Sequence, residues 1–199
     1  GTNWGATTDY YNLCAGTDAW TYSDGDLNWD AAPGQIYEVS VRTVDLAGNW
    51  SVPQSTITFR YDAEVPVTGV TVPAGSGGYY GTAGVAVLGG TASDGVSGVD
   101  YVKVGILNTA TELWYDGDGF NSAAKFFLTA TDTGTWTYNI DEANFVHGSD
   151  YLVQSYGVQN AVPQNTDWDE GDFTVGVNSN VFTYDHYQPT STVTMPASG

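Results

Sequence analysis

Short runs in which apolar and polar residues alternate recur along the chain, and the three-to-four-residue spacing of amphipathic helices is nearly absent. Alternation with a period of two is typical of β-strands, whose successive side chains point to opposite faces. Clusters of Gly, Asp, Asn and Pro separate the runs and predict turns. We predict strands at residues 37–44, 55–61, 67–72, 85–88, 99–107, 125–130, 135–140, 151–158, 173–177 and 181–184. Short strands at this spacing indicate an all-β fold, an antiparallel β-sandwich.

The sequence also repeats itself. Residues 59–75 match residues 182–198, residues 19–22 match 135–138, and residues 34–41 match 148–155, at offsets of 123, 116 and 114. Gly1 aligns in the same way with Gly117. We therefore predict that residues 1–62 are the C-terminal part of an incomplete module, 63–185 a complete module, and 186–199 the start of a following module.

The incomplete first module has two explanations. The chain is a segment of a much longer tandem array, or it is a subunit whose first module is completed by a strand from a neighbouring chain. A C-terminal tail equivalent to residues 62–76 would still leave about forty positions of the first module unfilled, as counted from the repeat. We therefore favour the longer array.

Several stretches resemble the Ig-like modules that are repeated in very large bacterial surface proteins and adhesins. They are "GTASDGVSGVDYVKVGI" (90–106), "LWYDGDGF" (113–120), "TWTYNID" (135–141), "YEVSVRTVDLAGNWS" (37–51) and "FRYDAEVP" (59–66). The resemblance implies tandem Ig-like, fibronectin III-like sandwiches acting as an extracellular stalk, fibre or adhesin. The second module departs from the pattern at 158–172, where the Asp-x-Ala-Gly-Asn core of residues 45–49 is missing.

Charge narrows the range of partners and functions. The net charge of −19 argues against binding nucleic acid or anionic membrane, and no apolar stretch is long enough for a membrane span. The only cysteine is Cys14, and His147 and His186 lie in no recognisable catalytic context. We predict no enzymatic activity and an extracellular or cell-surface location.

Calcium is the candidate cofactor, because oxygen-rich loops with alternating acids suit a hard cation that takes six to eight oxygen ligands. At each loop the alternative is a solvated turn in which Asp caps the backbone. The candidate ligands lie in a late turn, at the junction between modules and in three acidic loops. They are Asp45 and Asn49; Asp62 and Glu64; Asp24, Asp26, Asn28 and Asp30; Asp116 and Asp118; and Asp167 and Asp169.

Seven Trp and fourteen Tyr residues could form a sugar-stacking platform. We expect Trp20 and Trp136, at matching positions of the repeat, to fill the sandwich cores. Trp4, Trp29, Trp50, Trp114 and Trp168 lie at or near turns and are the candidates for surface contacts. Asn49 begins the sequon Asn-Trp-Ser and is a candidate glycosylation site.

The sequence therefore predicts a non-catalytic structural or adhesive segment of a long extracellular protein, forming a rod of Ig-like modules that calcium could stiffen. Its expected partners are neighbouring modules or other copies of the chain, and a surface glycan or other cell-surface target. The alternatives are a filament subunit assembled by β-strand complementation between chains and a carbohydrate-binding β-sandwich module.

Overall fold

A computed structural model describes residues 11–25, 34–81, 83–162 and 173–194. The chain divides into two compact units, Gly1–Ala63 and Glu64–Gly199. The predicted assignment of residues 186–199 to a third module stays a prediction.

The described residues form β-strands joined by turns and irregular loops, which confirms the all-β prediction. Their one short helical segment is a 3₁₀ turn at Glu142–Asn144, and they include no helix long and apolar enough to cross a membrane. The strands of the first unit are β1 (Ile36–Val41) and β2 (Ser55–Arg60). Those of the second are β3 (Val67–Val72), β4 (Gly78–Tyr80), β5 (Val87–Ser93), β6 (Val99–Asn108), β7 (Leu113–Tyr115), β8 (Phe120–Ser122), β9 (Leu128–Thr129), β10 (Thr135–Asn139), β11 (Asp150–Gln159) and β12 (Ser179–Tyr184).

The described strands of the second unit form two sheets. One has the order β10-β5-β3, and the other has the order β4-β12-β11-β6-β7-β8, with β9 also pairing with β6. All pairs are antiparallel except β4 and β12, which run parallel. Alternate residues of β6, namely Val102, Val104 and Ile106, are completely buried in the core between the sheets. This is the Ig-like, fibronectin III-like sandwich that the sequence predicts.

Trp136 of β10 is at the centre of the core with none of its surface exposed, as predicted. It lies opposite Gly90 of the neighbouring strand β5. A Cβ atom at residue 90 would overlap both the Trp136 ring and the carbonyl oxygen of Gly69. The glycine is therefore what allows the indole to lie flat against the strand.

Tyr151 fixes the start of β11. Its buried ring packs against Phe182 of β12, with ring centroids 5.5 Å apart, and its hydroxyl accepts a hydrogen bond of 2.8 Å from the Val146 backbone N–H. A tyrosine that bonds back to the preceding backbone at this corner is a hallmark of Ig-like sandwiches. Burial raises the pKa of Tyr151, so the neutral hydroxyl is the form present at ordinary pH.

The hairpin β1–β2 of the first unit repeats the hairpin β11–β12 of the second. Tyr37 pairs with Phe59 as Tyr151 pairs with Phe182, and the interplanar angle is 27° in both pairs. The Gly34 N–H donates to the Tyr61 carbonyl at 2.9 Å, as the Gly148 N–H donates to Tyr184 at 2.7 Å. The bridge between residues 15 and 21 likewise recurs between residues 131 and 137. These correspondences have the offsets of the sequence repeat.

Some predicted strands are wrong. Residues 173–177 contain one isolated bridge rather than a strand, because Gly176 has a positive φ of 83° and the Asn178 side chain accepts a hydrogen bond from the Thr174 N–H. The strand predicted at 125–130 shrinks to Leu128–Thr129. Sequence alternation also missed β4, β7 and β8, which are three residues long each.

Candidate functional site

The turn at residues 44–50 is held by the carboxylate of Asp45. Oδ1 accepts hydrogen bonds from the backbone N–H groups of Ala47 and Asn49 at 2.9 and 2.8 Å, and Oδ2 accepts one from Asn49 Nδ2 at 2.9 Å. Gly48 supplies the positive φ of 90° that the turn requires. The bonds from Asn49, its side chain first, hold the pKa of Asp45 below its usual value. Asp45 therefore acts as a turn cap, and the Asn49 amide is part of the same network.

The loop after β7 has a similar design. Asp116 Oδ1 accepts hydrogen bonds from the N–H groups of Asp118 and Gly119, each at 3.1 Å, and the Asn121 amide lies 3.3 Å from Oδ2. The backbone bonds from Asp118 and then Gly119 lower the pKa of Asp116. The Asp94 carboxylate caps its own loop without an asparagine, since its Oδ1 accepts hydrogen bonds from the N–H groups of residues 96, 97 and 98. Asp45, Asp116 and Asp94 thus each stabilise their own loop by accepting hydrogen bonds from its backbone.

Three of the other predicted cation ligands lie within the described residues. Asp24 accepts a hydrogen bond of 2.9 Å from the Tyr22 hydroxyl, Asp62 follows β2 in the first unit, and Glu64 opens the second unit. Asp26, Asn28, Asp30, Asp167 and Asp169 lie outside the described residues. Within residues 11–25, 34–81, 83–162 and 173–194, no three His, Cys, Asp or Glu side chains are grouped as a metal site would need. Calcium binding and glycosylation of Asn49 stay predictions.

Arg42 and Trp50 form a cation–π stack at the surface of the first unit. The Arg42 guanidinium carbon lies 4.1 Å from the centre of the Trp50 ring and 3.9 Å from that of Tyr11. One face of the Trp50 ring is therefore covered by a protein cation. Trp114, also predicted at the surface, is instead 7% exposed and packs near Phe127. A sugar-binding platform stays a prediction, and the buried Trp114 is not among the tryptophans that could form it.

Both histidines of the chain lie at the end of β12, a cluster that sequence reasoning missed. His147 Nδ1 is 3.2 Å from Asp185 Oδ1, and the His147 ring centroid is 3.8 Å from that of Tyr187 and 5.4 Å from that of His186. These contacts fasten the segment after β12 to the loop before β11. The only early signal was that His186 directly follows the repeated "YD".

The first unit exposes residues whose counterparts form the core of the second. Trp20 is 43% exposed, whereas Trp136 is completely buried. Val39 is 38% exposed, whereas Val153 is completely buried. The prediction that Trp20 fills a core like Trp136 is therefore wrong, because strands equivalent to β5 and β6 do not occur among the described residues of this unit.

We call this surface the apolar face of the first unit. It consists of Trp20, Val39, Ile57 and Phe59, of which Ile57 is 67% exposed and Phe59 is 37% exposed. Val39 and Ile57 are cross-strand partners, and Phe59 lies two residues further along β2 on the same side of the hairpin. Trp20 is assigned to this face by its correspondence with Trp136 in the repeat, and apolar residues exposed in this way make the face a candidate interaction surface.

Comparison with known proteins adds little to the fold assignment. No family model matches the chain, and no curated protein matches it. Among solved structures it is similar to the crystal structure of the chicken CNTN1 FN1-FN3 domains, with 16% sequence identity and a TM-score of 0.35. The similarity covers 81% of this chain and 48% of that one, so this chain spans about half of its length. The fold assignment rests on the strand pairing described above.

Proposed function

We propose that the chain is a structural or adhesive segment of a longer extracellular protein, in which Ig-like modules follow one another and carry load without catalysing a reaction. The observation that supports this proposal most is the recurrence of one hairpin framework in two consecutive units, joined by the six residues 61–66 between β2 and β3. The net charge of −19 would repel nucleic acid and anionic membranes, which agrees with a role that involves neither.

Side-chain contacts attach both ends of the second unit to its sandwich, so a pulling force on either end would reach the packed strands. Near its beginning, Pro66 packs so closely on β11 that a Cβ at Gly157 would lie 2.8 Å from the proline Cβ. Thr68 of β3 donates a hydrogen bond of 2.9 Å to the Ser155 carbonyl of the opposite sheet. At its other end, the contacts of His147 with Asp185 and Tyr187 hold the outgoing segment. Both connecting segments therefore continue into the packed sandwich.

The parallel pair β4–β12 is the element that would bear the load. Gly78, Tyr79 and Tyr80 pair with Phe182, Thr183 and Tyr184. Because the strands run parallel, pulling the start of β4 away from the end of β12 slides one along the other, so their hydrogen bonds are strained together rather than one at a time. The buried Asn180 amide also ties β12 to the chain just before β4, because it donates hydrogen bonds to the carbonyls of Val70 and Pro73 at 3.0 and 2.9 Å.

Single-molecule pulling tests this function. In a Cys14→Ser background, handles at Ala74→Cys and Tyr187→Cys load β4 against β12 along their length. Handles at Ala83→Cys and Tyr187→Cys load the same pair from the ends at which both strands finish, and peel them apart. We expect a clearly higher unfolding force for the first geometry.

Equal forces in the two geometries would contradict a load-bearing role for this pair. Asn180→Ala should lower the force in the first geometry only. Asn144→Ala, which removes a 3.0 Å bond to the Asp141 carbonyl in the 3₁₀ turn, is the matched control and should leave the force unchanged.

A further inference from the structure

The apolar face of the first unit has a counterpart in the same molecule, and that counterpart shows what covers it. In the second unit Val153 of β11 pairs with Ile106 of β6, and Trp136 of β10 pairs with Gly90 of β5. β5 and β6 are the in-sheet neighbours of β10 and β11 and come before them in the chain, as does β3, which packs on β11 from the opposite sheet. By the sequence repeat, in which Gly1 corresponds to Gly117, residues 63–116 have no equivalent in the first unit.

We propose that the apolar face binds a polypeptide segment of the same type as residues 63–116, supplied by another part of the longer protein of the proposed function. This inference rests on the proposed tandem function and names the partner of the first unit. One strand of the segment adds antiparallel to β1, opposite Val39, with apolar residues at alternate positions like Val102, Val104 and Ile106. A second strand adds beside Trp20.

The geometry around Trp136 sets a requirement for that second strand. Since any Cβ at Gly90 would overlap the Trp136 ring, the residue opposite Trp20 in the bound segment must also be glycine. The segment is therefore recognised by two features together, an alternating apolar strand beside Val39 and a glycine beside Trp20. A general apolar peptide has only the first.

A second copy of this chain fits the face less well. Its own residues 102, 104 and 106 are completely buried in its second unit, so they could be donated only if that unit opened. Its residues 186–194 correspond by the repeat to residues 63–71, which include only the first strand of a module. A tail of this kind would supply neither the strand beside Val39 nor the one beside Trp20.

The test adds a second copy of residues 63–116 directly before Gly1 in the full chain. In a Cys14→Ser background, Val39→Cys reports on the apolar face through its rate of labelling by a small maleimide, and Val153→Cys reports on the intact second unit. We expect Val39→Cys to react quickly in the original chain. In the extended chain it should react roughly 100-fold more slowly, as when labelling requires an opening populated at about 1%. Val153→Cys should react slowly in both.

The matched control changes Gly90→Val in the added copy alone, which should restore fast labelling of Val39→Cys. If Val39→Cys reacts equally fast with and without the added segment while Val153→Cys stays protected, the proposal is overturned. Protection that appears in the original chain as its concentration rises, together with a dimer in sedimentation, would also overturn it in favour of a second copy. Neither outcome changes the pulling behaviour of β4 and β12, so the proposed function is tested separately.

Discussion

The contact between Gly90 and Trp136 predicts a large difference between two adjacent glycines. Both Gly89 and Gly90 are buried in β5, and neither has a positive φ. A Cβ at residue 90 would overlap the Trp136 ring and the Gly69 carbonyl oxygen. A Cβ at residue 89 would meet only the Trp136 carbonyl oxygen, at 3.4 Å, which is an ordinary contact. Gly90→Ala should therefore destabilise the second unit, and Gly89→Ala is its matched control.

The magnitude follows from what would have to move. Overpacking a core costs typically about 1–3 kcal/mol, and relief here would require the completely buried indole or the backbone of β3 to shift, so we expect about 3 kcal/mol or more for Gly90→Ala. Gly89→Ala meets no such overlap and reduces the freedom of the unfolded chain, which is worth about 0.4–1 kcal/mol of stabilisation at a compatible site. The two variants should differ by at least about 3 kcal/mol.

Urea unfolding of the chain measures the difference, with near-ultraviolet circular dichroism as a probe of the Trp136 environment. At about 3 °C per kcal/mol for a unit of this size, the melting temperature of Gly90→Ala should fall by roughly 10 °C. If both alanine variants shift the unfolding midpoint equally, the close approach of the indole to β5 is not what requires glycine, and a segment that covers Trp20 would not need one either.

Two further substitutions and one titration have definite expected outcomes. Tyr151→Phe removes the acceptor for an upstream N–H and should cost about 1 kcal/mol in urea unfolding, whereas Tyr79→Phe, at a 77% exposed residue, should change nothing. The pKa of Asp45 is lowered in the folded state, so its contribution to stability is present above the unfolded pKa of about 3.9 and is lost as pH falls through the folded value. A carboxyl carbon-13 titration of Asp45 by NMR should have its midpoint below that of an unfolded Asp, and a midpoint at or above it would contradict the capping role. Arg42→Ala should destabilise the first unit by about 1 kcal/mol in urea unfolding, since the Tyr11 and Trp50 rings lose their cation, and an unchanged midpoint would contradict the stack.

The long strands could be predicted from the sequence because their burial is one-sided. In β6, Val102, Val104 and Ile106 are completely buried while Lys103 and Leu107 are partly exposed, which is the pattern that a sheet facing a core imposes; only the small Gly105 interrupts it. In β7 the residues Leu113, Trp114 and Tyr115 are all largely covered, so three apolar residues in succession show no alternation. A strand of that length leaves too few positions for its period to be recognised.

The candidate site was only partly predictable. Residues Asp45 and Asn49 were expected to form a turn with or without a cation, and the structure shows how their own hydrogen bonds make the turn. The histidine cluster could not be foreseen, because His147 and His186 lie 39 positions apart and meet only through the end of β12. Trp114 was misplaced because its position beside a turn conceals the space that Gly105 leaves for its ring.

The exposure of Trp20 and Val39 shows a more general limit of periodicity. The first unit has the same hairpin register, aromatic pair and closing hydrogen bond from a glycine N–H as the second, yet matching side chains are covered in one and exposed in the other. An alternating pattern states which side of a strand is apolar, whereas burial depends on strands located elsewhere in the sequence. Since burial of apolar surface is the main favourable term in folding, the first unit gains less from its own residues than the second does. Backbone amides of β1 should therefore exchange faster than those of β11 in the chain alone, and the gap should close once the apolar face is covered.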